Sequence, residues 1–457
     1  MKVVFFVHCF FPNHFHGTET YTLELAKNYQ ALGIDVHVIS AIPQGEAPAA
    51  ELITHYNYDG LPITCIDKNK LPHNNLKETY YHAAMYPVLD KLLCNLKPDL
   101  VHITHLLNHS AILLKLLRDL KIPCYASFTD FFGICFNNKL HAADGRLCAG
   151  PSKSRSNCAA CYMKDAGNSK LSYRLLKKII TPQQLQMLAK LINILRKWPL
   201  FSNSKINTLL EDLTVRPNIL LPLYSNYKAA VAPTQFLLEA YRKNGFTQPM
   251  KKIEFGIDIN RSAKPKRPQN HKPIIGFIGQ IAQHKGVDIL IEAFSRLPKG
   301  IAELHIYGQN DLKCPYIKKL HTQAKNHEVK FLGTFKKEKT ADVFSSFDLC
   351  VLPSRWYENS PLVLLSALAT HTPVLISNVA GMTEFVKENI NGFIFERGSV
   401  DDLERVLINI LRNPAALYEL SLTTNYKKTS RMMAEDTLKI YDLKISTQPT
   451  NHILQAN

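Results

Sequence analysis

Three stretches of this chain carry residue types suited to holding a ligand with phosphates and hydroxyls. The first is Gly276-Phe277-Ile278-Gly279-Gln280-Ile281-Ala282-Gln283-His284-Lys285-Gly286. A strand ends in glycine, and a short loop then sets a lysine just ahead of a helix. Lysine is a flexible point charge suited to a diphosphate, and Gly286 permits a tight helix start. A solvent-facing loop lysine fits the same spacing. The second stretch is Ser354-Arg355-Trp356-Tyr357-Glu358-Asn359-Ser360-Pro361-Leu362-Val363-Leu364-Leu365-Ser366-Ala367. Ser360 is placed to cap a helix whose first turn holds Pro361. The backbone N–H groups of Leu362 and Val363 then make an anion site. Glu358 stands one step ahead, set to accept hydrogen bonds from sugar hydroxyls. The plainer reading is a capped core helix with a surface glutamate. The third stretch, Phe11-Pro12-Asn13-His14-Phe15-His16-Gly17-Thr18, puts a glycine between a first strand and its helix. Backbone can approach a phosphate there. The stretch lacks the full dinucleotide fingerprint, and a plain turn glycine explains it as well.

Two further features carry chemistry of their own. Cys135, Cys148, Cys158 and Cys161 form a C-x12-C-x9-C-x2-C array in a polar loop. That array suits structural tetrahedral zinc, with independent thiols or disulfides as the alternatives. Residues 167–205 hold eight lysines or arginines and no acid. Leu185, Leu188, Leu191, Ile192 and Leu195 share one helical face there. A basic amphipathic helix can lie on an anionic membrane, or its apolar face can pack on the first domain.

The elements that must position these groups alternate. Strands are expected at Val3–Val7, Val36–Ile39, Asp99–Thr104 and Cys124–Phe128. Helical spacing is expected at Glu19–Leu32, Tyr80–Leu96 and Ser110–Leu120. The pattern breaks between about 130 and 222 and resumes at Ala229–Ala232. A second series has strands Ile274–Ile278, Glu303–Tyr307, Val329–Leu332, Leu349–Leu352 and Val374–Ile376, with helices Asp288–Ser295, Pro361–Ala369 and Asp401–Leu411. Alternating strand and helix means parallel strands with helical crossovers, hence two doubly wound α/β units.

The chain has 457 residues, 46% apolar and 20% charged. That excludes a disordered tail, a collagen-like fibre and a polytopic membrane protein. Its formal charge of +17 favours anionic partners. No zinc-finger histidine pair, aromatic RNA-binding signature or basic zipper is present, so nucleic acid is not the expected partner. Met1-Lys2 runs straight into an apolar strand interrupted by Asn13 and His14, unlike a secretory signal. No stretch reaches the ~18 apolar residues of a spanning helix. The expectation is a cytoplasmic protein, peripheral on the inner membrane face if the basic helix binds lipid.

Taken in order, these motifs resemble glycosyltransferase family four, the glycosyl transferases group 1, with its GT-B fold of two facing Rossmann-like domains. The carriers run over about Lys2 to Tyr441. They are Gly17, Asp99-Leu100-Val101-His102, Ala232-Pro233-Thr234, Phe255-Gly256-Ile257-Asp258, Gly279-Gln280 with Lys285-Gly286, Glu358-Asn359-Ser360-Pro361, Gly381-Met382-Thr383-Glu384 and Asn391-Gly392-Phe393. The resemblance implies an acceptor-side domain at 1–225, with its insertion at about 130–222. It implies a nucleotide-sugar domain at 226–425, and a helix at 426–446 crossing back to the first domain.

It also implies a retaining glycosyltransferase that moves a hexosyl-type sugar from a nucleotide-diphospho-sugar to a glycan or lipid-linked acceptor, in bacterial surface polysaccharide synthesis such as lipopolysaccharide. No cofactor is required for that chemistry. Lys285 and Glu358 take the catalytic roles. Gly17, Gly279, Gln280, Lys285, Glu358, Asn359, Ser360, Pro361, Leu362, Val363 and Ser366 face the donor. The chain departs from the family twice. Ser366 stands where a second glutamate usually binds the ribose, with Glu384 a candidate to compensate. Thr129 stands where a histidine often lines the acceptor pocket, with Asp130 or His105 as candidates for polarity there. These departures make the alternative an inactive homologue that binds nucleotide-sugar or membrane as a partner of another enzyme.

Overall fold

The computed structural model describes residues 1–166, 184, 187, 191, 205–262, 264–268 and 271–441. The basic stretch at 167–205 therefore lies almost wholly outside the described residues.

Two sheets organise the chain. The first has eight strands in the order β3-β4-β2-β1-β5-β6-β7-β8. They are β1 (Lys2–Phe6), β2 (Asp35–Ile42), β3 (Ile53–Tyr58), β4 (Leu61–Asp67), β5 (Leu100–Ile103), β6 (Cys124–Ser127), β7 (Tyr227–Ala232) and β8 (Met250–Lys252). All its pairings are parallel except β3 with β4, a hairpin closed at Asp59-Gly60, both with positive φ. The second sheet runs β11-β10-β9-β12-β13-β14, all parallel. Its strands are β9 (Ile274–Ile278), β10 (Glu303–Tyr307), β11 (Val329–Gly333), β12 (Leu349–Leu352), β13 (Val374–Ser377) and β14 (Gly392–Phe395). The middle strands of each sheet are buried through their centres, because helices cover both faces.

The expected division at 225/226 is corrected by the pairing. β7 bonds in parallel to β6, and β8 to β7, so both complete the first sheet. The chain leaves the first lobe after Lys252. Thr234, with the helix Gln235–Lys243 that it caps through Leu237 N–H, belongs to the first lobe too.

Two strands of chain join the lobes. Ile257 N–H donates to Lys428 O (3.0 Å), and Asp258 accepts from Ser430 N–H (3.1 Å). Gly256 is required there, since any Cβ would collide with the Thr429 carbonyl. The helix Ser430–Leu438 then packs on the first-lobe helix Gly17–Ala31. Beyond it, the buried Tyr441 hydroxyl meets Tyr29 (3.0 Å) and His102 (2.5 Å). One continuous apolar cluster runs from β1 and β2 through Ile253, Phe255 and Ile257 into the second lobe.

Candidate functional site

In a doubly wound sheet, ligands bind beyond the C-terminal strand ends where the strand order reverses. In the second sheet that place lies between β9 and β12, which pair side by side. The loop after β9 carries Gly279 to Lys285, and the loop after β12 carries Ser354 to Ser360. Two of the sequence motifs thus meet through topology alone.

Lys285 Nζ stands 2.6 Å from Glu358 Oε1. The same oxygen accepts from Ser354 Oγ (2.6 Å) and Trp356 Nε1–H (3.2 Å). Glu358 is 8% exposed. Its Oε2 has no partner among the described residues, yet it is not sealed from solvent. The carboxylate is therefore held by one oxygen and offers the other. Lys285 also lies 5.8 Å from the centre of the Trp356 ring, which His284 covers at 3.8 Å. Burial and then the Lys285 charge hold His284 down at about 4, so its ring is neutral near pH 7.

Arg355 locks the two loops together. It forms a bidentate pair with Asp288 (3.0 and 2.8 Å) and donates to Gln283 O (3.1 Å). Two glycines allow the close approach. Gly286 has φ +71° and would push a Cβ into the Pro353 carbonyl. Gly381 has φ +89° and would push one into the Glu358 carbonyl. Gly279 also has positive φ, +151°, and Gln280 beside it is exposed.

The helix after Glu358 starts one residue later than expected, at Leu362, and Ser360 does not cap it. Pro361 occupies the N-cap position, and no side chain caps the helix. Ser360 has φ +65°, whereas a capping serine needs extended backbone. Its hydroxyl and the Asn359 side-chain Oδ1 are buried without a partner among the described residues. Leu365 N–H is bonded to Pro361 O, which leaves the earlier N–H groups of Leu362 and Val363 for other acceptors. Ser366 is half-buried one turn further along. Glu384 does not reach this site. Its two oxygens take the N–H groups of Gln235 (2.8 Å) and Phe236 (2.7 Å) across the lobe boundary, and Lys252 pairs with it at 3.1 Å.

The first sheet reverses between β1 and β5. Gly17 is exposed at the first position of the helix that follows the loop after β1, and an added Cβ would meet nothing within 4 Å. Nothing in the protein itself requires glycine there. Thr18 Oγ1 bonds Thr129 Oγ1 (2.8 Å), tying this loop to the end of β6. His105 and Asp130 are bonded to each other. His105 Nδ1 accepts from Leu107 N–H (2.9 Å), which leaves its other nitrogen to donate to Asp130. Asp130 also accepts from Phe132 N–H (2.9 Å) and Asn138. Burial raises the Asp130 carboxyl, but His105 and these hydrogen bonds outweigh it and hold the group below the usual range. The pair anchors the start of the cysteine loop. Next in sequence, Phe131 touches Tyr357, which also packs on Phe236 (4.4 Å). The acceptor-side residues thus adjoin Glu358 through one aromatic contact.

The four cysteines of the array lie near one another, each thiol turned to its own surroundings. Cys135 donates to Asn137 Oδ1 (2.9 Å) and Cys148 to Gly150 O (3.3 Å), while Cys161 reaches His141 O (3.8 Å). Among the described residues no three of these sulfurs lie within 4.8 Å of one another. Tetrahedral zinc would need all four within about that span. No cysteine forms a disulfide. Burial, then Cys135, pushes the Cys158 thiol up to about 12.

Sequence reading missed Ser354, Trp356 and Arg355 as holders of the site, although all three sit inside the motif it singled out. Two facing α/β lobes, each with a loop site at its strand-order reversal, define a two-domain Rossmann-like class of fold. Comparison with known proteins narrows this. The description "Glycosyl transferases group 1" matches residues 258–431, and "Glycosyltransferase Family 4" matches residues 15–143. The two matches together span more than half of the chain, which belongs to this GT-B glycosyltransferase family. An uncharacterized glycosyltransferase of Methanocaldococcus jannaschii is 35% identical over 126 residues, 27% of this chain and 32% of that protein. A poly(ribitol-phosphate) alpha-N-acetylglucosaminyltransferase of Staphylococcus aureus is 26% identical over 153 residues, 33% of this chain and 30% of that protein. The matched segment is thus about a third of either relative's length. Among solved structures, Anabaena HepE in complex with UDP and glucose superposes with TM-score 0.61 at 14% identity, covering 97% of this chain and 99% of that one. Among the described residues no helix is long and apolar enough to cross a membrane.

Proposed function

We propose that the chain is a retaining glycosyltransferase using a nucleotide-diphospho-sugar donor and a glycan or lipid-linked acceptor, in bacterial surface polysaccharide synthesis. The observation that carries this reading is the Lys285–Glu358 pair at the strand-order reversal of the second sheet, directly ahead of a helix N-terminus. Lys285 and the free N–H groups of Leu362 and Val363 hold the leaving diphosphate, with Gln280 beside it. Glu358 Oε2 accepts from donor-sugar hydroxyls, and Ser366 from or to the ribose. Gly17 lets the first lobe's backbone close on the phosphate, which is why a glycine with open space around it sits there. The bond from the anomeric carbon to phosphate oxygen breaks, and the acceptor oxygen bonds that carbon on the same face. The acceptor proton passes to the departing phosphate oxygen. Positioned cationic and N–H groups stabilise the charge that develops on it.

The acceptor approaches from Thr129 and the Phe131–Tyr357 contact. The Staphylococcus aureus relative is named for transfer to poly(ribitol-phosphate) and an Erwinia amylovora relative for amylovoran biosynthesis, which supports a polymeric acceptor. The basic stretch at 167–205 supports docking on an anionic membrane from the cytoplasmic side. The test is a panel of nucleotide-diphospho-sugars incubated with lipid-linked and free glycan acceptors, with the product's anomeric configuration read by NMR. Transfer with retention supports the reading. Tight nucleotide binding with no turnover on any donor would replace it with the inactive-partner reading.

A further inference from the structure

The strand-order reversal of the first sheet holds a cluster that sugar transfer does not use. His8 and Cys9 follow β1, and Glu19 lies in the first turn of the helix that returns from that loop. His8 Nε2 is 3.1 Å from Glu19 Oε1, and Cys9 Sγ is 2.9 Å from the same oxygen. One ligand atom from each residue lies within 4.8 Å of the other two.

Glu19 is 1% exposed. Its Oε2 and the His8 Nδ1 are both sealed from solvent without a hydrogen-bond partner. A buried carboxylate needs a cation or a full set of donors. Among the described residues it has one thiol and one imidazole, and no lysine or arginine is paired with it. An imidazole nitrogen, a sulfur and a carboxylate are the donor set of a borderline divalent ion such as zinc.

We propose that His8, Cys9 and Glu19 bind one zinc-class divalent cation. The Cys9 thiol proton is released to solvent, and the His8 proton sits on Nδ1 so that Nε2 faces the ion. Glu19 Oε2 is the fourth donor, closing a compact site. Since Glu19 is almost wholly buried, the ion lies inside the wall of the first lobe and not in the cleft. It staples the end of β1 to the helix start. Gly17 and Thr18 stand in the same helix turn as Glu19, so the ion fixes the helix start that Thr18 ties to Thr129. The proposal stands independently of the transfer reading.

The test uses the full chain, stripped with a chelator and titrated with cobalt(II) alone. The readouts are the thiolate-to-cobalt charge-transfer band, the protons released and the melting temperature. The cysteine loop is a competing thiol source, so Cys158→Ser/Cys161→Ser is titrated beside the wild type. One cobalt with the sulfur band is expected in both proteins, with about one proton released per ion. Cys9→Ser should abolish that band. Glu19→Gln, nearly the same shape and checked for folding by circular dichroism, should weaken cobalt binding at least ~10-fold. No band in Cys158→Ser/Cys161→Ser, or a band unchanged by Cys9→Ser or Glu19→Gln, would overturn the site.

Discussion

Replacing Lys285 by alanine separates catalysis from stability most sharply. The ammonium lies 2.6 Å from Glu358 Oε1. At an effective dielectric of ~20 the bare attraction is about 6 kcal/mol, most of it offset by desolvating both groups. Lys285 keeps 25% of its side-chain exposure and Glu358 keeps 10%. After truncation Glu358 still has the donors Ser354 and Trp356. The net stability cost should therefore be about 1 kcal/mol. The bound donor loses far more, because its diphosphate loses the one side-chain cation in this loop pair that faces it. Loss of a single positioned electrostatic group costs about 2.7–4 kcal/mol in the transition state, or ~100-fold or more in rate. The assay is kcat/KM for transfer with the best donor of the panel, alongside thermal unfolding of the same samples. A ~100-fold loss with a melting temperature shifted by only a few degrees is expected. A rate within ~3-fold of wild type would refute the role assigned to Lys285.

Other outcomes follow from the same geometry. Glu358→Gln keeps the shape but weakens the acceptor, and transfer should fall by ~100-fold while nucleotide diphosphate affinity, read by calorimetry, changes little. Gly381→Ala forces a Cβ into the Glu358 carbonyl at φ +89°, so both stability and donor binding should drop, by more than ~1 kcal/mol in denaturant unfolding. Glu384→Ala removes the acceptor for two N–H groups at the helix Gln235–Lys243, and should cost about 1 kcal/mol by the same measurement without abolishing transfer. His37 is pulled down to about 4 by burial and then Lys2, against 6.5 unfolded. Between those values the unfolded chain binds the extra proton. Stability is therefore full above pH ~6.5 and declines as pH falls toward 4, by up to ~1.4 kcal/mol per pH unit for this group. His37→Gln should flatten that part of a melting-temperature profile against pH.

Much of the fold was legible because buried parallel strands read as unbroken apolar runs. Ile274–Ile278 and Leu349–Leu352 are strands with those very bounds, and so is Glu303–Tyr307, which reads from its alternation instead. The β3–β4 hairpin escaped because β3 alternates with polar residues on a half-exposed edge, although Asp59-Gly60 is a strong turn signal. Ala229–Ala232 read as a strand, but a short apolar run does not say which sheet it joins, and the lobe boundary was misplaced by about 27 residues. At the site, Lys285 and Glu358 stood out by type and position. The proton arrangement around them did not, because Ser354, Trp356 and Arg355 choose their partners through the tertiary fold. For the same reason no spacing rule could show that His105 and Asp130 saturate each other, that Ser360 takes a left-handed turn, or that Glu384 serves the opposite lobe.

The central claim is that the two lobes grip a pyrophosphate between them. A crystal structure of the chain with a nucleoside diphosphate tests it most directly. Phosphate oxygens within hydrogen-bond distance of Lys285 Nζ and the Leu362–Val363 N–H groups, with Gly17 backbone facing them, are expected. A nucleotide bound away from the β9–β12 loops, with Lys285 still paired only to Glu358, would contradict the account.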